Sequence, residues 1–304
     1  MAVLPPTTES NEAKELVLAA GKCVAFLGAG ITKPPGGTWT DIVSKLADRC
    51  KIPFNKKTTP TLEYPKVIDL CIAADEDGCN EVLRVSLAEH VVKTRTALVD
   101  IHRLQLKAIV TTNFDPWIGA RSSSSHYERI HVYPDLPLHF GTAGRIYYIH
   151  GHFASADPNS SITKLVFGQH SFAEAYEESP LLSGFLLNLF IYENIFFVGF
   201  DPTERYISAL LRKSIEIRGR IQAASGTSNV TRRYILTRLP SGRTATKRAR
   251  EAAFITGIKA LDITPVYYDN STEDHVGIEE LLYKWIADSE LPDRPALLKT
   301  GFDD

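Results

Sequence analysis

The residues best suited to chemistry in this sequence sit where short apolar runs stop. Asn113 lies in Thr111-Thr112-Asn113-Phe114-Asp115, His150 ends Ile146-Tyr147-Tyr148-Ile149, and glycines follow two further runs in Gly28-Ala29-Gly30 and Gly199-Phe200-Asp201. An amide carries donors and acceptors, so Asn113 can hold a ribose hydroxyl, a carboxamide or a water. It can equally cap the short helix that Pro116 would start. The His150 imidazole is placed to act as a general base near neutral pH, or to bond a backbone carbonyl at a strand end. Gly28-Ala29-Gly30 can bring backbone amides up to a pyrophosphate, or can be a plain strand-to-loop turn. Asp201 can hold ribose hydroxyls, although capping a helix near Thr203 is the simpler role. His150-x-His152 lacks a third ligand, so no metal is expected there.

These segments need strands to position them. Cys23 to Leu27 is continuously apolar and reads as a fully buried first strand, expected at the centre of a sheet. Strand-like runs recur at Ala108 to Thr111, Ile146 to Ile149, Ile195 to Val198, Tyr234 to Leu236 and about Ile263 to Tyr267. Helical stretches at Phe172 to Glu178, Leu181 to Tyr192, Thr203 to Ile217, Thr244 to Thr256 and Gly277 to Ala287 lie between most of them. Strands alternating with helices mean an α/β protein with a Rossmann-like, doubly wound, mainly parallel sheet. Ser10 is expected to cap a first helix running to Ala20, and Thr38 with Asp41 has the spacing of a capping box. From about Lys51 to Lys107 the pattern is helical, with apolar spacing at Val67, Leu70, Cys71 and Ala74 and at Val82, Leu83, Leu87 and Val91. This reads as a helical insertion between the first two strands of one domain spanning 1–304.

In such a sheet the carboxyl ends of the strands form the ligand crevice. Gly30, Asn113, Asp115 and His150 are therefore expected to line one crevice, with Asn113 and His150 at its rim. The dehydrogenase fingerprint is incomplete: Lys33 stands where its third glycine belongs, and a helix follows in place of a β-α-β unit.

Composition narrows the classes. With 304 residues and a formal charge of −2, the chain is an ordinary globular protein and not a nucleic-acid coat. The cluster Arg243, Lys247, Arg248 and Arg250 reads as a solvated helix face, and direct nucleic-acid contact is not expected. No stretch is long and apolar enough to span a bilayer, and Met1 to Asn11 lacks a signal-peptide core, so a cytoplasmic location is expected. The four cysteines, Cys23, Cys50, Cys71 and Cys79, form no Cys-x-x-Cys pair, which argues against structural zinc. Cys23 and Cys71 read as packed thiols.

Taken in order, Phe26-Leu27-Gly28-Ala29-Gly30, Trp39, Thr111-Thr112-Asn113-Phe114-Asp115, Tyr148-Ile149-His150-Gly151 and Phe197-Val198-Gly199-Phe200 resemble the sirtuin-like (silent information regulator two-like) superfamily. Within it they are most similar to the NAD-hydrolase domains of prokaryotic antiphage defence, such as the Thoeris effector and the sirtuin-like subunits paired with short Argonautes or HerA-type ATPases. The resemblance covers roughly Lys22 to Leu211. It implies cleavage of NAD to nicotinamide and ADP-ribose, with Asn113 and His150 catalytic. Gly28, Ala29, Gly30, Thr38, Trp39, Asp115, Gly199 and Asp201 would contact the nucleotide, which is a substrate here, and no metal is implied. Relatives often carry an acidic residue where this chain has His152, and a serine where it has Asp201. The deacylase branch carries paired cysteine motifs that this chain lacks, so a deacylase or ADP-ribosyltransferase stands second. A non-catalytic module binding NAD or ADP-ribose is a further alternative.

A free NAD hydrolase would poison its own cell. The resemblance therefore implies a homo-oligomer and a protein partner of the HerA-type ATPase or Argonaute kind. Otherwise these residues are the N-terminal part of something longer. The segment Lys51 to Lys107 and the helix around Ile278 to Ala287 are the expected packing surfaces, and the loop Gly30 to Gly37 is the expected gate.

Overall fold

The computed structural model describes residues 8–32, 38–87, 96–120, 126–127, 129–137, 143–226, 231–240, 244–268 and 276–289. Seven strands are present among them: β1 (Val24–Leu27), β2 (Ala108–Thr111), β3 (Arg129–Val132), β4 (Arg145–Tyr148), β5 (Ile195–Val198), β6 (Arg233–Arg238) and β7 (Thr264–Tyr268). They form one sheet in the order β3-β4-β2-β1-β5-β6-β7, and every pairing is parallel. β1 is thus the central strand, and all four of its residues are buried, as a continuously apolar run requires. β3 has no counterpart in the sequence reading. It is an edge strand with Arg129 and Ile130 exposed, so nothing in Arg129-Ile130-His131-Val132 registers as a buried run.

The helices are α1 (Thr8–Leu18), α2 (Ala29–Thr32), α3 (Trp39–Cys50), α4 (Tyr64–Ala74), α5 (Glu76–Leu87) and α6 (Thr96–Arg103) in the first part of the chain. They continue as α7 (Trp117–Ala120), α8 (Gln169–Ala173), α9 (Pro180–Tyr192), α10 (Arg205–Ser225), α11 (Ala245–Lys259) and α12 (Val276–Ala287). One turn of π-helix, Glu174–Glu178, continues α8.

Alternate strand residues feed two cores. Ala25, Leu27, Ile109, Ile146 and Tyr148 pack with α1, α6 and α12 on one face. Val24, Phe26, Val110, Tyr147 and Phe197 pack with α9, α10 and α11 on the other. A third cluster joins α3, α4 and α5 to Phe114, Phe153 and Phe167, residues that leave the carboxyl edge of the sheet. The insertion between β1 and β2 is therefore helical among the described residues, and it leans over the edge where a ligand would bind.

Four local expectations change. Thr8 and Glu9 are already helical, so α1 starts at Thr8, just past Pro5-Pro6, and Ser10 lies inside it instead of capping it. The helix after β5 is capped by Glu204, whose carboxylate accepts from the Tyr206 and Ile207 amides; Asp201 is not its cap. In α4 the buried face is Tyr64, Val67, Ile68 and Cys71, and Leu70 is exposed. The apolar side of α12 (Ile278, Leu282, Trp285 and Ile286) is buried in the chain's own core, so it is not an outward packing surface. Val91, Arg243 and most of the expected gate, 33–37, lie outside the described residues.

Candidate functional site

The topology places the site before any side chain is considered. From β1 the sheet grows through β2 and β4 on one side and through β5, β6 and β7 on the other. The carboxyl end of β1 is therefore the switch point of the sheet, where open α/β folds bind ligands. Leu27 pairs with Thr111 and with Val198, and Thr111 pairs with Tyr148. Gly28, Thr112, Ile149 and Gly199 are thus the first residues past four adjacent strand ends. Asn113 and His150 are each two residues past a paired position on neighbouring strands, which run roughly 5 Å apart.

The glycines serve the closeness of β1 and β5. A Cβ on Gly28 would stand 2.5 Å from the Gly199 carbonyl oxygen, and one on Gly199 would stand 2.5 Å from the Ile31 nitrogen. Gly199 also has φ +63°, a left-handed conformation costly for other residues. The Gly28 and Gly30 amides donate to Val198 and Gly199 carbonyls at 3.1 and 2.9 Å. Their donors are thus committed inside the chain, and backbone packing accounts for both glycines. Ala29, between them, is exposed. Gly199→Ala combines left-handed strain with a clash against backbone and should cost about 3 kcal/mol of stability. A urea midpoint unchanged from wild type would refute this account of the edge.

Asn113 lies in a hydrogen-bonded chain. Its Nδ2 donates to Thr32 Oγ1 at 3.0 Å, and Thr32 Oγ1 donates to Asp115 Oδ2 at 3.2 Å. The other Asp115 oxygen accepts from the Trp117 amide at 3.2 Å, so Asp115 and not Asn113 serves the turn into α7. Burial pushes the Asp115 carboxyl up to about 6. Thr32 was not singled out from the sequence. Its only signal there is its position shortly after the glycine pair.

His150 has different company. Its Nε2 lies 2.7 Å from the Tyr176 hydroxyl, and its ring meets those of Phe172 and Tyr176 edge-on. Phe172, Tyr176 and Tyr206 stack on one another beneath it. Tyr176 sits in the π-helical turn, a form that recurs at functional sites. Burial drives the His150 pKa down to about 3, so the imidazole is neutral at physiological pH. Tyr176 keeps its proton, because burial raises its phenol well above the usual range. For Nδ1 to accept a proton from a ligand, Nε2–H must donate to the tyrosine oxygen. Tyr176, absent from the sequence reading, is therefore the group that can select the tautomer.

Asn113 and His150 are both buried, 6% and 8% exposed, and not at a rim. Among the described residues no hydrogen bond joins them. Asn113, Thr32 and Asp115 adjoin the layer of α1, α6 and α12 through Ile31, Ile118 and Tyr148, whereas Tyr176 belongs to the opposite layer. They are neighbours along the strand ends, each drawn back to an internal partner.

The remaining candidates are already engaged. The Thr38 side chain is spent on its capping box with Asp41, and Trp39 packs edge-on against Phe167 with centroids 4.7 Å apart. Asp201 is exposed and accepts from the Thr203 amide and hydroxyl at 2.9 and 2.6 Å. His152 packs edge-on against Tyr148, with ring centroids 4.8 Å apart. No group of three or more metal-ligating side chains occurs among the described residues. Nor is any described helix long and apolar enough to cross a membrane.

A family model described as SIR2-like domain matches residues 107–258, half of the 304 residues. One solved structure, described as a structural basis for the mechanism and regulation of Sir2 enzymes, aligns over 91% of this chain and 95% of its own, at 10% identity and a TM-score of 0.37. Another, a Sir2 homolog–NAD complex, aligns over 91% and 94%, at 11% identity and a TM-score of 0.40. No curated protein matches the sequence.

Proposed function

Because the chain belongs to the SIR2-like domain family, we propose that its strand-end crevice binds NAD and hydrolyses the N-glycosidic bond to release nicotinamide and ADP-ribose. The observation that carries this reading is the register. Asn113 and His150 leave adjacent strands at equivalent positions beside the switch point of the sheet.

Such a bond breaks through an oxocarbenium-like transition state, so the protein must orient the ribose and deliver a water. The Asn113 amide would hold the ribose hydroxyls or that water, and the Thr32–Asp115 chain behind it fixes its orientation. His150 Nδ1 would accept a hydrogen bond from the water or a ribose hydroxyl. At a pKa of about 3 it is always in its accepting form but is a weak base. Its first contribution is therefore orientation and partial proton acceptance. Gly28, Gly30 and Ile31 have committed their amides, so contacts from this turn to the pyrophosphate would fall to Ala29.

The weak basicity of His150 favours one second reading, a module that binds NAD or ADP-ribose without turnover. A single assay separates the two. The full chain is incubated with NAD, alone and with an acetyl-lysine peptide, while nicotinamide and ADP-ribose are quantified. Release without peptide supports hydrolysis, and peptide-dependent release indicates a transferase. Binding with no release at any protein concentration would overturn the catalytic reading.

We further read the enzyme as an assembled effector of antiphage defence, held inactive until it oligomerises or meets a sensor such as a HerA-type ATPase or an Argonaute. The exposed Leu62, Leu70 and Val85 of the helical insertion supply apolar surface for such contacts. Specific activity should rise with protein concentration or on adding the partner, through a population shift towards a closed site. Full activity in a nanomolar monomer would rule this out.

A further inference from the structure

Three of the four cysteines converge where α3, α4 and α5 meet. Cys50 is the last residue of α3, Cys71 lies in α4 and Cys79 sits in the first turn of α5. Cys50 Sγ lies 3.5 Å from Cys79 Sγ and donates to the Cys71 carbonyl at 3.4 Å. We propose that Cys50 and Cys79 are a redox site that closes to a reversible disulfide between α3 and α5.

The approach is built by the residues alongside. A Cβ on Gly78 would stand 2.2 Å from Asp75 Oδ2 and 2.8 Å from Arg49 Nε, so only glycine lets the Arg49–Asp75 ion pair settle there. That pair, 3.2 Å long, ties the end of α3 to the start of α5, one residue from Cys50 and four from Cys79. Closing from 3.5 Å to a bond of about 2.05 Å brings the two sulfurs nearer by about 1.5 Å. Cys50 is half-buried, whereas Cys71 and Cys79 are fully covered. Burial pushes the Cys71 thiol up to about 12 and Cys79 higher still, which leaves Cys50 as the entry point for a small oxidant.

The oxidant class is a peroxide. Cys50 thiol and hydrogen peroxide give a sulfenic acid and water. The Cys79 sulfur then attacks Cys50 Sγ; the S–S bond forms as the S–O bond breaks, and the oxygen leaves as water with the Cys79 proton. Two electrons pass from the thiol pair to the peroxide, and an external dithiol reverses the step. The cross-link fixes the far end of the helix that begins at Thr38 and Trp39.

The test treats the reduced full chain with stoichiometric hydrogen peroxide and maps peptides without reductant. The expected product is lighter by two hydrogens and carries a Cys50–Cys79 peptide. Dithiothreitol should remove the link, and the apparent Tm should be higher by on the order of 5 °C while it is present. Cys50→Ser should give no cross-link, and the wild-type peptide map decides the matter even if that variant folds poorly. Stable oxygen addition at Cys50 without a link, a Cys50–Cys71 link, or unmodified thiols would each overturn the proposal.

Discussion

Replacing His150 by glutamine is expected to slow nicotinamide release by roughly 10²-fold, the low end of what a positioned acid–base group is worth, because the buried imidazole is a weak base. Glutamine is the better probe than alanine, because the ring is buried and alanine would leave the Tyr176 hydroxyl without its partner. Asn113→Ala should give a loss of similar size at little structural cost. Thr32 would still donate to Asp115, so only one hydrogen bond disappears, worth about 1 kcal/mol. Tyr176→Phe should fall between these variants and wild type, since it removes tautomer selection and leaves both groups facing a ligand. His152→Ala is the control and should cost much less, as its ring packs on Tyr148. Initial rates at saturating NAD, with circular dichroism to confirm folding, decide the matter. Near-wild-type turnover by the His150 variant would end the mechanism.

The frame was legible in the sequence because buried parallel strands announce themselves. Val24 to Leu27 and Ile195 to Val198 are apolar throughout, Ala108 to Val110 is apolar up to the buried Thr111, and the structure pairs all three in register at the centre of the sheet. β3 escaped because an edge strand need not be apolar, and Arg129 and His131 interrupt its run. Strand ends were equally legible, so Asn113, Asp115 and His150 could be singled out. Their surroundings could not. Thr32 and Tyr176 act through contacts with residues more than twenty positions away, and no local pattern records such contacts. The same blindness explains the rim expectation for His150 and Asn113. Strand-end polarity suggested exposure, but Phe172 of α8 and the π-helical turn pack on His150, and Thr32 of α2 engages Asn113. The glycines teach a related lesson. Gly28 and Gly199 matter as much for the approach of two backbones as for any ligand, and spacing alone cannot separate the two demands.

Acid should expose the opposed electrostatics of the two half-sites. The folded His150 pKa is about 3 against an ordinary 6.5. As pH falls below 6.5 the unfolded chain takes up a proton that the folded chain refuses, so stability present above 6.5 is lost on the way to 3. Asp115 behaves in the reverse sense, with a folded pKa of about 6 against an ordinary 3.8. Between pH 6 and 4 the folded chain holds a proton that the unfolded chain has released, and stability is gained as pH falls. At roughly 1.4 kcal/mol per unit, each group contributes about 3 kcal/mol between pH 7 and 4, with opposite sign. Together they nearly cancel. Removing one should therefore unmask the other. His150→Gln should gain about 3 kcal/mol relative to wild type on going from pH 7 to pH 4. Asp115→Asn keeps an acceptor for Trp117 and can donate to Thr32; it should be about 3 kcal/mol more stable than wild type at pH 7 and lose that advantage by pH 4. Urea midpoints of the three proteins at the two pH values measure this. Variants that track wild type in parallel would mean that neither group is buried as described, and the weak-base reading of His150 would fall with it.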